Sequence, residues 1–381
     1  MIERAAQLLE LVTSLAVLRD EDGVLSITVG LEPGARAGRR PGAQIELENE
    51  LSRLRDVPGF TRVHERRLAE LASRIEDLLD PAASGRGRAL YVAIGANETA
   101  EASLQAPLPT AARLAPVARV LPLVGALEAG RPAGLVGISR EAADVQEAEL
   151  GVVRPVARID LEPLVGDWWP EMKGAAAANP LRGQEVVSHR DRYDRRVEAA
   201  YRRGLQEAAT TVAALARERG WTRAALAGDA RLTLPLDEAL AEHGLTTAIL
   251  KANLEGLRPA QARDRLLAVL SSLVERQTLE LVERALAEAA AGGSGSCGRQ
   301  ATLTALAAGR VERLLLDPGA PLPGAVGPGE LLVATEGTAA VDLTDWVVAH
   351  ALATGAAVTP VLGKAADALR GCGGVAALLR W

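Results

Sequence analysis

The sequence GAAAANPLRGQEVVSHRDRYDRRVEAAYRRGLQEAATTVAALARER occupies residues 174–219 and joins an irregular loop to a long helical pattern. Pro180 disfavours a helical conformation at Asn179, and Gly174 and Gly183 are further loop signals. Apolar residues then recur at steps of three and four, which predicts a helix with one apolar stripe. The members of this stripe are Tyr193, Val197, Tyr201, Leu205, Ala208, Val212 and Leu215.

The same stretch is locally basic. Between Arg182 and Arg203 it contains seven arginines and four acidic residues, in a chain whose formal net charge is −6. A loop that ends in Gly183-Gln184 before a basic helix is suited to presenting a small polar group beside a phosphate backbone. The alternative is a surface loop before an ordinary amphipathic helix, because charge runs are usually solvated faces.

Length and composition are those of an ordinary globular protein. A chain of 381 residues is long enough for two or three domains, each with its own core. Aromatic residues make up only 2% of the chain, so the cores are expected to consist of Leu, Val and Ala. The negative net charge excludes a protein that coats nucleic acid with its whole surface but permits a local basic site.

The residue types that bind metals are scattered. Cys297 and Cys372 form no CxxC pattern, and the four histidines are dispersed, so we expect no metal site and no cofactor. Residues 2–18 predict an amphipathic helix without the apolar run of a signal peptide, and no stretch is apolar enough to span a membrane. We therefore expect a cytoplasmic protein whose cysteines are reduced.

Helical and strand patterns alternate along the chain, which predicts the α/β class with a partly parallel sheet. Residues 291–296 (AGGSGS) are expected to be a flexible linker and residues 318–329 a loop. The predicted helices are 2–18, 43–56, 61–79, 236–243, 259–290, 299–308, 343–353 and 365–369. The predicted strands are 24–31, 89–94, 100–106, 134–139, 142–150, 153–161, 224–227, 247–250, 311–316, 331–335, 357–361 and 375–380.

Five segments, in their order along the chain, carry a family resemblance. They are GLVGISREAADVQEAELG (134–151), the loop to Arg182-Gly183-Gln184, RAALAGDARLTLPLDEAL (223–240), SCGRQATLTALAAGRVERLLLD (296–317) and GCGGVAALLRW (371–381). Together they resemble the archaeo-eukaryotic class-I release factors and Pelota, in particular the bacterial Vms-like branch. The resemblance covers about residues 134–381 and is weaker before them.

The resemblance implies three domains. They are an N-terminal α/β domain (1–130), a release-factor-like middle domain with a mixed sheet, a long basic helix and the Gly-Gln loop (131–272), and an L7Ae-like α/β C-terminal domain (273–381). It also implies binding in the ribosomal A site, with ribosomal RNA and peptidyl-tRNA as partners. A translational GTPase is a candidate further partner, no membrane is involved, and the family suggests a monomer.

The activity that the resemblance implies is hydrolysis of the ester between a nascent peptide and tRNA. Gln184 would lie at the loop tip, where its backbone N–H stabilises charge on the leaving oxygen and its side chain positions water. Gly183 would allow close approach of the backbone. The residues expected to contact RNA are Arg182, His189, Arg190, Arg192, Arg195 and Arg196.

Arg182 departs from the family pattern, which has its first Gly at this position. This departure motivates a second hypothesis, a non-hydrolytic ribosome-binding factor that acts in hibernation or stress. A third hypothesis is an RNA-processing nuclease, because the family's middle domain has a nuclease-like topology. A cluster of metal-binding carboxylates would support the third hypothesis, and the sequence contains no pattern for one.

Overall fold

The computed structural model confirms the α/β class. It describes residues 1–31, 42–57, 59–139, 141–161, 202–250, 258–328, 332–335 and 341–381. Four sheets alternate with helices along the described chain. The chain divides into two compact units, of which the first contains residues 1–130, 150–152 and 274–381 and the second residues 131–149 and 153–273. Whether the first unit contains two separate domains, as the sequence suggested, remains a prediction.

The first 130 residues form one antiparallel sheet between two layers of helices. The strand order is β3-β2-β1-β4, with β1 paired to both of its neighbours. Side chains alternate between the two faces, as the period of a strand requires: Leu90 and Val92 face one core, and Ala89 and Tyr91 face the other. The elements are α1 (Ala5–Ala16), β1 (Arg19–Gly30), α2 (Gly42–Leu54), α3 (Arg62–Glu70), α4 (Ala72–Leu79), β2 (Gly87–Ala93), β3 (Thr99–Leu104), β4 (Ala111–Val117) and α5 (Leu121–Ala129).

The second unit is built on a five-stranded mixed sheet. Its strand order is β7-β6-β5-β8-β9, in which β5 and β8, and also β8 and β9, are parallel. The helix at 202–219 packs on one face of this sheet, and the first half of the long helix at 259–290 packs on the other. The elements are β5 (Ala133–Ile138), β6 (Ala142–Glu149), β7 (Val152–Asp160), α6 (202–219), β8 (Arg223–Gly228), α7 (Ala230–Glu242), β9 (Thr246–Leu250) and α8 (Pro259–Ala290), of which the residues from 274 onward belong to the first unit.

The last part of the chain adds a second sheet to the first unit. Its strand order is β10-β16-β11-β15, and β11 pairs with β15 in parallel. A small separate sheet of order β13-β12-β14 is formed by residues that lie between β11 and β15 along the chain. The elements are β10 (Gly295–Cys297), α9 (Arg299–Ala307), β11 (Val311–Leu316), β12 (Pro323–Val326), β13 (Leu332–Ala334), β14 (Val341–Asp342), α10 (Thr344–Ala353), β15 (Ala357–Pro360), α11 (Gly363–Leu369), a 3₁₀ turn (Arg370–Cys372) and β16 (Val375–Leu379).

The two ends of the chain share one hydrophobic core. Leu8 and Val12 of α1 are fully buried in the same cluster as Val347 of α10 and Leu314 of β11. Helix α1 contacts α10, and α5 contacts β15. The first 130 residues and the last hundred therefore stabilise one another through apolar burial, which is the main favourable term in folding.

An ion-pair cluster borders this shared core. Arg113 of β4 lies 2.7 Å from the carboxylate of Asp345 and 3.0 Å from that of Asp342. The Asp345 side chain is only 2% exposed. Burial raises the pKa of Asp345 above its ordinary value, against the opposing charges of Arg113 and Arg119. Arg113 is thus the cation that compensates a deeply buried carboxylate from a distant part of the chain.

A buried arginine, Arg88 of β2, caps the end of α4. It is 4% exposed, and its guanidinium donates to the backbone oxygens of Asp77 (3.1 Å), Leu78 (3.0 Å), Asp80 (2.7 Å) and Ala83. The last carbonyls of a helix have no partner within the helix and carry partial negative charge. Arg88 therefore neutralises this end and ties α4 to the sheet.

Replacing Arg88 with Met is expected to lower the free energy of unfolding by about 1.5–3 kcal/mol, because the buried carbonyls lose a charged donor. Urea unfolding followed by circular dichroism measures the change. The matched control is Arg74→Met, since Arg74 is 41% exposed and pairs only with surface groups, and a loss of about 0.5 kcal/mol is expected there. Equal losses in the two variants would contradict the capping role of Arg88.

The structure corrects several sequence-based predictions. Cys297 and Cys372 were expected to be reduced and separate, but they form a disulfide. Residues 291–296 are not a simple linker, because Gly295 begins strand β10, and the predicted loop 318–329 contains β12. Pairing with β16 and β13 creates these two strands, although their own residues give no strand signal. The single predicted helix 61–79 is two helices that meet at Leu71.

Candidate functional site

The residues predicted to act on RNA and peptidyl-tRNA lie outside the described residues. They are Arg182, Gly183, Gln184, His189, Arg190, Arg192, Arg195 and Arg196. The described chain gives the two ends between which this segment runs. It leaves the sheet of the second unit after Leu161, at the end of β7, and reaches α6, which is described from residue 202.

The first end is fixed by a tight arrangement of hydrogen bonds. The backbone N–H of Leu161 donates to the oxygen of Glu141 at 2.7 Å, and the Leu161 side chain is 4% exposed within the core. Ser139 stabilises the adjacent turn, because its hydroxyl accepts from the N–H of Glu141 and of Ala142. Leu161, the last described residue before the segment, is therefore held by both packing and hydrogen bonding.

Packing of α6 on the sheet fixes the second end. In the described part of the predicted stripe, Leu205, Ala208 and Val212 are buried, and Leu215 is half-buried. These side chains contact the inward face of the sheet, which includes Val136, Ile138, Val145 and Leu226. The prediction of an amphipathic helix is confirmed for residues 202–219, and the three stripe residues before them are not described.

The opposite face of α6 is polar. Arg202 and Arg203, at its described start, are both exposed. The apolar stripe is buried and the arginines face solvent, as the period of 3.6 residues requires. The described beginning of the helix thus presents positive charge on the side away from the sheet.

A buried carboxylate supports the other end of α6. Glu147 of β6 is 1% exposed, and its Oε1 accepts from the indole N–H of Trp221 at 3.0 Å. Arg219 lies 3.5 Å from its Oε2. The helix ends at Gly220 (φ +69°), and the N–H of Trp221 returns to the oxygen of Ala216 at 2.8 Å. The helix is therefore held along its stripe and at its C-terminal end.

Replacing Trp221 with Phe is expected to lower the free energy of unfolding of the second unit by about 1–2 kcal/mol. The reason is that a buried carboxylate loses a hydrogen-bond donor while most of the apolar contact is kept. Urea unfolding measures the loss. Substituting Glu147 by Gln in the same protein should reduce the penalty, because a neutral amide needs the donor less. A penalty that is unchanged in the double variant would contradict this account.

The sequence carries a signal for Glu147 that is not among the predictions made above. Ala143, Val145 and Glu147 occupy alternate positions of one strand, and all three are buried. An acidic residue at the inward register of a strand indicates a buried partner, since a buried charge is costly unless it is paired. The partner, Trp221, is 74 residues away, and no local pattern indicates it.

No group of three or more His, Cys, Asp or Glu residues that could hold a metal ion is present among the described residues. No helix in the described ranges is long and apolar enough to cross a membrane.

Comparison with protein-family models identifies the segment that contains Gly183 and Gln184. Residues 116–278 match the model described as bacterial archaeo-eukaryotic release factor family 10. This segment belongs to the archaeo-eukaryotic release-factor superfamily. The match includes β5 to β9, the anchors at Leu161 and α6, and the Gly183-Gln184 sequence between them. It confirms the resemblance seen in the sequence at the level of the superfamily.

Several solved structures can be aligned along nearly the whole chain, at low identity. The crystal structure of an archaeal translation termination factor, aRF1, is 18% identical, with 99% of this chain and 98% of that chain covered and a TM-score of 0.26. Pelota of Archaeoglobus fulgidus is 13% identical (98% and 92% covered, TM-score 0.34), and Dom34 of S. cerevisiae is 10% identical (100% and 94%, TM-score 0.39). A search of curated proteins found no match.

Proposed function

We propose that this chain is a translation factor that binds the ribosomal A site and hydrolyses peptidyl-tRNA, releasing stalled nascent chains. The observation that carries the proposal is the release-factor family match over residues 116–278, a segment that contains Gly183-Gln184. The arrangement of the described anchors supports it. A loop whose two ends are fixed by a hydrogen-bonded strand end and a packed helix can be presented at a defined position.

The proposed chemistry requires positioning and no strong base. Hydrolysis breaks the bond between the peptide carbonyl carbon and the 3′ oxygen of tRNA, and water supplies the oxygen of the new carboxylate. In the proposal the backbone N–H of Gln184 donates to the leaving 3′ oxygen, and its side chain orients the attacking water. Gly183 lets the backbone approach the ester without a side chain in the way.

Positive charge near the loop has a separate role in the proposal. Arg190, Arg192, Arg195 and Arg196 would contact phosphates of the tRNA acceptor end or of ribosomal RNA, with Arg182 and His189 beside the loop tip. Such contacts position a protein on RNA without reading its sequence. The exposed Arg202 and Arg203 extend the same basic run into the described part of α6.

The proposal includes a cytoplasmic location and the ribosome as partner. The solved relatives include an archaeal Pelota in a ribosome-bound state with ABCE1 and a Dom34 that interacts with Hbs1. The proposal also includes a translational GTPase as a candidate partner and a monomeric chain, both of which the family resemblance suggests.

The experiment uses the purified full chain and ribosome–nascent-chain complexes that carry labelled peptidyl-tRNA. Free peptide and co-sedimentation of the protein with ribosomes are measured in the same sample. The proposal expects both to increase with protein concentration. Absence of co-sedimentation at low salt would overturn it, because phosphate contacts are strongest there.

The second candidate is a ribosome-binding factor without hydrolytic activity, and Arg182 is the observation that favours it. A side chain at this position replaces the glycine of the family pattern and restricts the backbone before Gly183. This candidate expects co-sedimentation without release. Replacing Arg182 with Gly would then restore release, whereas the hydrolase proposal expects release by the unmodified chain.

A further inference from the structure

A disulfide between Cys297 and Cys372 closes one end of the sheet in the last part of the chain. Cys297 is the final residue of the edge strand β10, and Cys372 ends the 3₁₀ turn that precedes β16. Their Cα atoms are 5.2 Å apart, within the range that a disulfide requires. The bond connects residues that are separated by 75 positions in the sequence.

Other contacts hold the two cysteine-bearing segments together. The N–H of Gly298 donates to the oxygen of Val375 at 3.1 Å, and the buried hydroxyls of Ser296 and Thr302 are 3.0 Å apart. Strands β10 and β16 pair through Gly295↔Leu378, Ser296↔Ala377 and Cys297↔Ala376. Because these contacts do not depend on the bond, two reduced thiols would remain close enough to form it again.

The two cysteines differ in their access to solvent. Cys297 is exposed, and Cys372 is 6% exposed. Exchange with a soluble thiol requires approach to one sulfur of the bond, so access decides which sulfur is attacked. The exposed position of Cys297 makes it the entry point, and the buried Cys372 the residue that is released.

We propose that the Cys297–Cys372 bond is a reversible thiol–disulfide site at which low-molecular-weight thiols react first with Cys297. In the first step a thiolate attacks Sγ of Cys297, the disulfide bond breaks, and its electron pair remains on Sγ of Cys372, which takes a proton from solvent. In the second step another thiolate attacks the outer sulfur of the mixed disulfide and releases Cys297. The net result is oxidation of two small thiols to their disulfide and reduction of the protein bond to two thiols.

The bond restrains a weak part of the sheet. Strand β10 is only three residues long and pairs on one side, with β16. Short edge strands fray readily, since few contacts hold them. The disulfide adds a covalent link at the end of this strand, next to the start of α9, so opening it is expected to loosen β10 while the rest of the sheet persists.

The first test needs no substitution. The full chain is equilibrated in buffers with different ratios of reduced to oxidised glutathione, its free thiols are alkylated, and intact mass and peptide mapping report the labelled cysteines. We expect full interconversion without denaturant and a melting temperature about 5–10 °C lower in the reduced form. Hydrogen exchange should increase at residues 295–298 on reduction.

The second test concerns the order of reaction. Reduced wild-type protein is treated briefly with oxidised glutathione, and the mixed disulfides are mapped, with Cys297 expected to react about tenfold faster than Cys372. The single-cysteine variants should show the same difference. Cys297 in Cys372→Ser is expected to react faster with oxidised glutathione than Cys372 in Cys297→Ser. Equal reactivity would overturn the proposal. A bond that opens only in denaturant, or thiols that stay free in excess oxidised glutathione, would also overturn it.

Discussion

Replacing Gln184 with Ala is expected to slow peptide release from ribosome-bound peptidyl-tRNA by about 100-fold or more, with ribosome co-sedimentation unchanged. Loss of the side chain removes a group that positions water, and loss of one such interaction at a transition state typically costs about 10²–10³ in rate. Single-turnover release with labelled peptidyl-tRNA measures the rate, and sedimentation of the same mixture measures binding.

Gln206→Ala is the matched control for Gln184→Ala. Gln206 is an exposed glutamine on the described part of α6, on the same continuous segment. Its substitution should leave release and binding within about twofold, because surface changes have small effects. Full release activity in Gln184→Ala would contradict the assignment of this residue, and equal losses in both variants would indicate a general defect of the segment.

Replacing Arg113 with Met is expected to lower the free energy of unfolding of the first unit by about 3–5 kcal/mol near pH 7. The reason is that Asp345 remains buried after its closest cation has been removed. Urea unfolding at pH 7 measures the loss. Adding Asp345→Asn to Arg113→Met should recover most of it, since the buried charge is then absent.

The loss caused by Arg113→Met should shrink as the pH falls from 7 to about 5. The pKa of Asp345 is already raised by burial, and removal of Arg113 raises it further. The folded variant then binds a proton that the unfolded chain does not bind at the same pH, so its stability increases on acidification. The double variant with Asp345→Asn should lack this recovery.

Asp342 has the opposite pH dependence. Burial acts to raise its pKa, but hydrogen bonds from Thr344 and Leu322 and the charge of Arg113 outweigh burial, and the pKa is lowered. The contribution of Asp342 to stability is therefore complete above the pKa that this residue has in the unfolded chain. It is lost as the pH falls through the lower pKa that the residue has in the folded protein. The free energy of unfolding of the wild type and of Arg113→Met is measured at each pH. A gain of stability on acidification reports Asp345, and a loss reports Asp342.

Arg158→Met is the control for Arg113→Met. Arg158 pairs with Asp144 at 2.9 Å, but both side chains are 58% exposed. Exposed pairs contribute little, so a loss of about 0.5 kcal/mol without pH dependence is expected. A loss in Arg113→Met no larger than in Arg158→Met would show that the buried cluster does not stabilise the shared core.

Local patterns predicted most of the elements in the described chain. The bounds predicted for α8 and β11 agree with the structure, because each combines clear periodicity with a Pro or Gly boundary. Strand β10 was missed because its three residues are Gly, Ser and Cys, and it exists only through pairing with β16. Periodicity indicates the secondary structure that a segment favours by itself. It does not indicate which distant segment pairs with it.

The same limit applies to the support of the candidate site and to the shared core. The family resemblance located Gly183-Gln184, and the apolar stripe located the described part of α6. No pattern indicated that Trp221 would meet Glu147, or that Arg113 would meet Asp345, because these contacts join residues far apart in sequence. The roles of Gln184 and the arginines around it remain predictions.

The packing of α1 against α10 has a consequence for the order in which the chain acquires its structure during synthesis. Helix α1 emerges from the ribosome early, but α10 follows more than 300 residues later, which is roughly 15–70 s at ordinary elongation rates. The second unit lies between them in sequence and can complete its core first. The surface of α1 that packs on α10 then stays uncovered, even where Leu8 and Val12 already contact the first sheet and α5. The nascent chain of this protein therefore has an interval in which part of its core is exposed to chaperones and proteases.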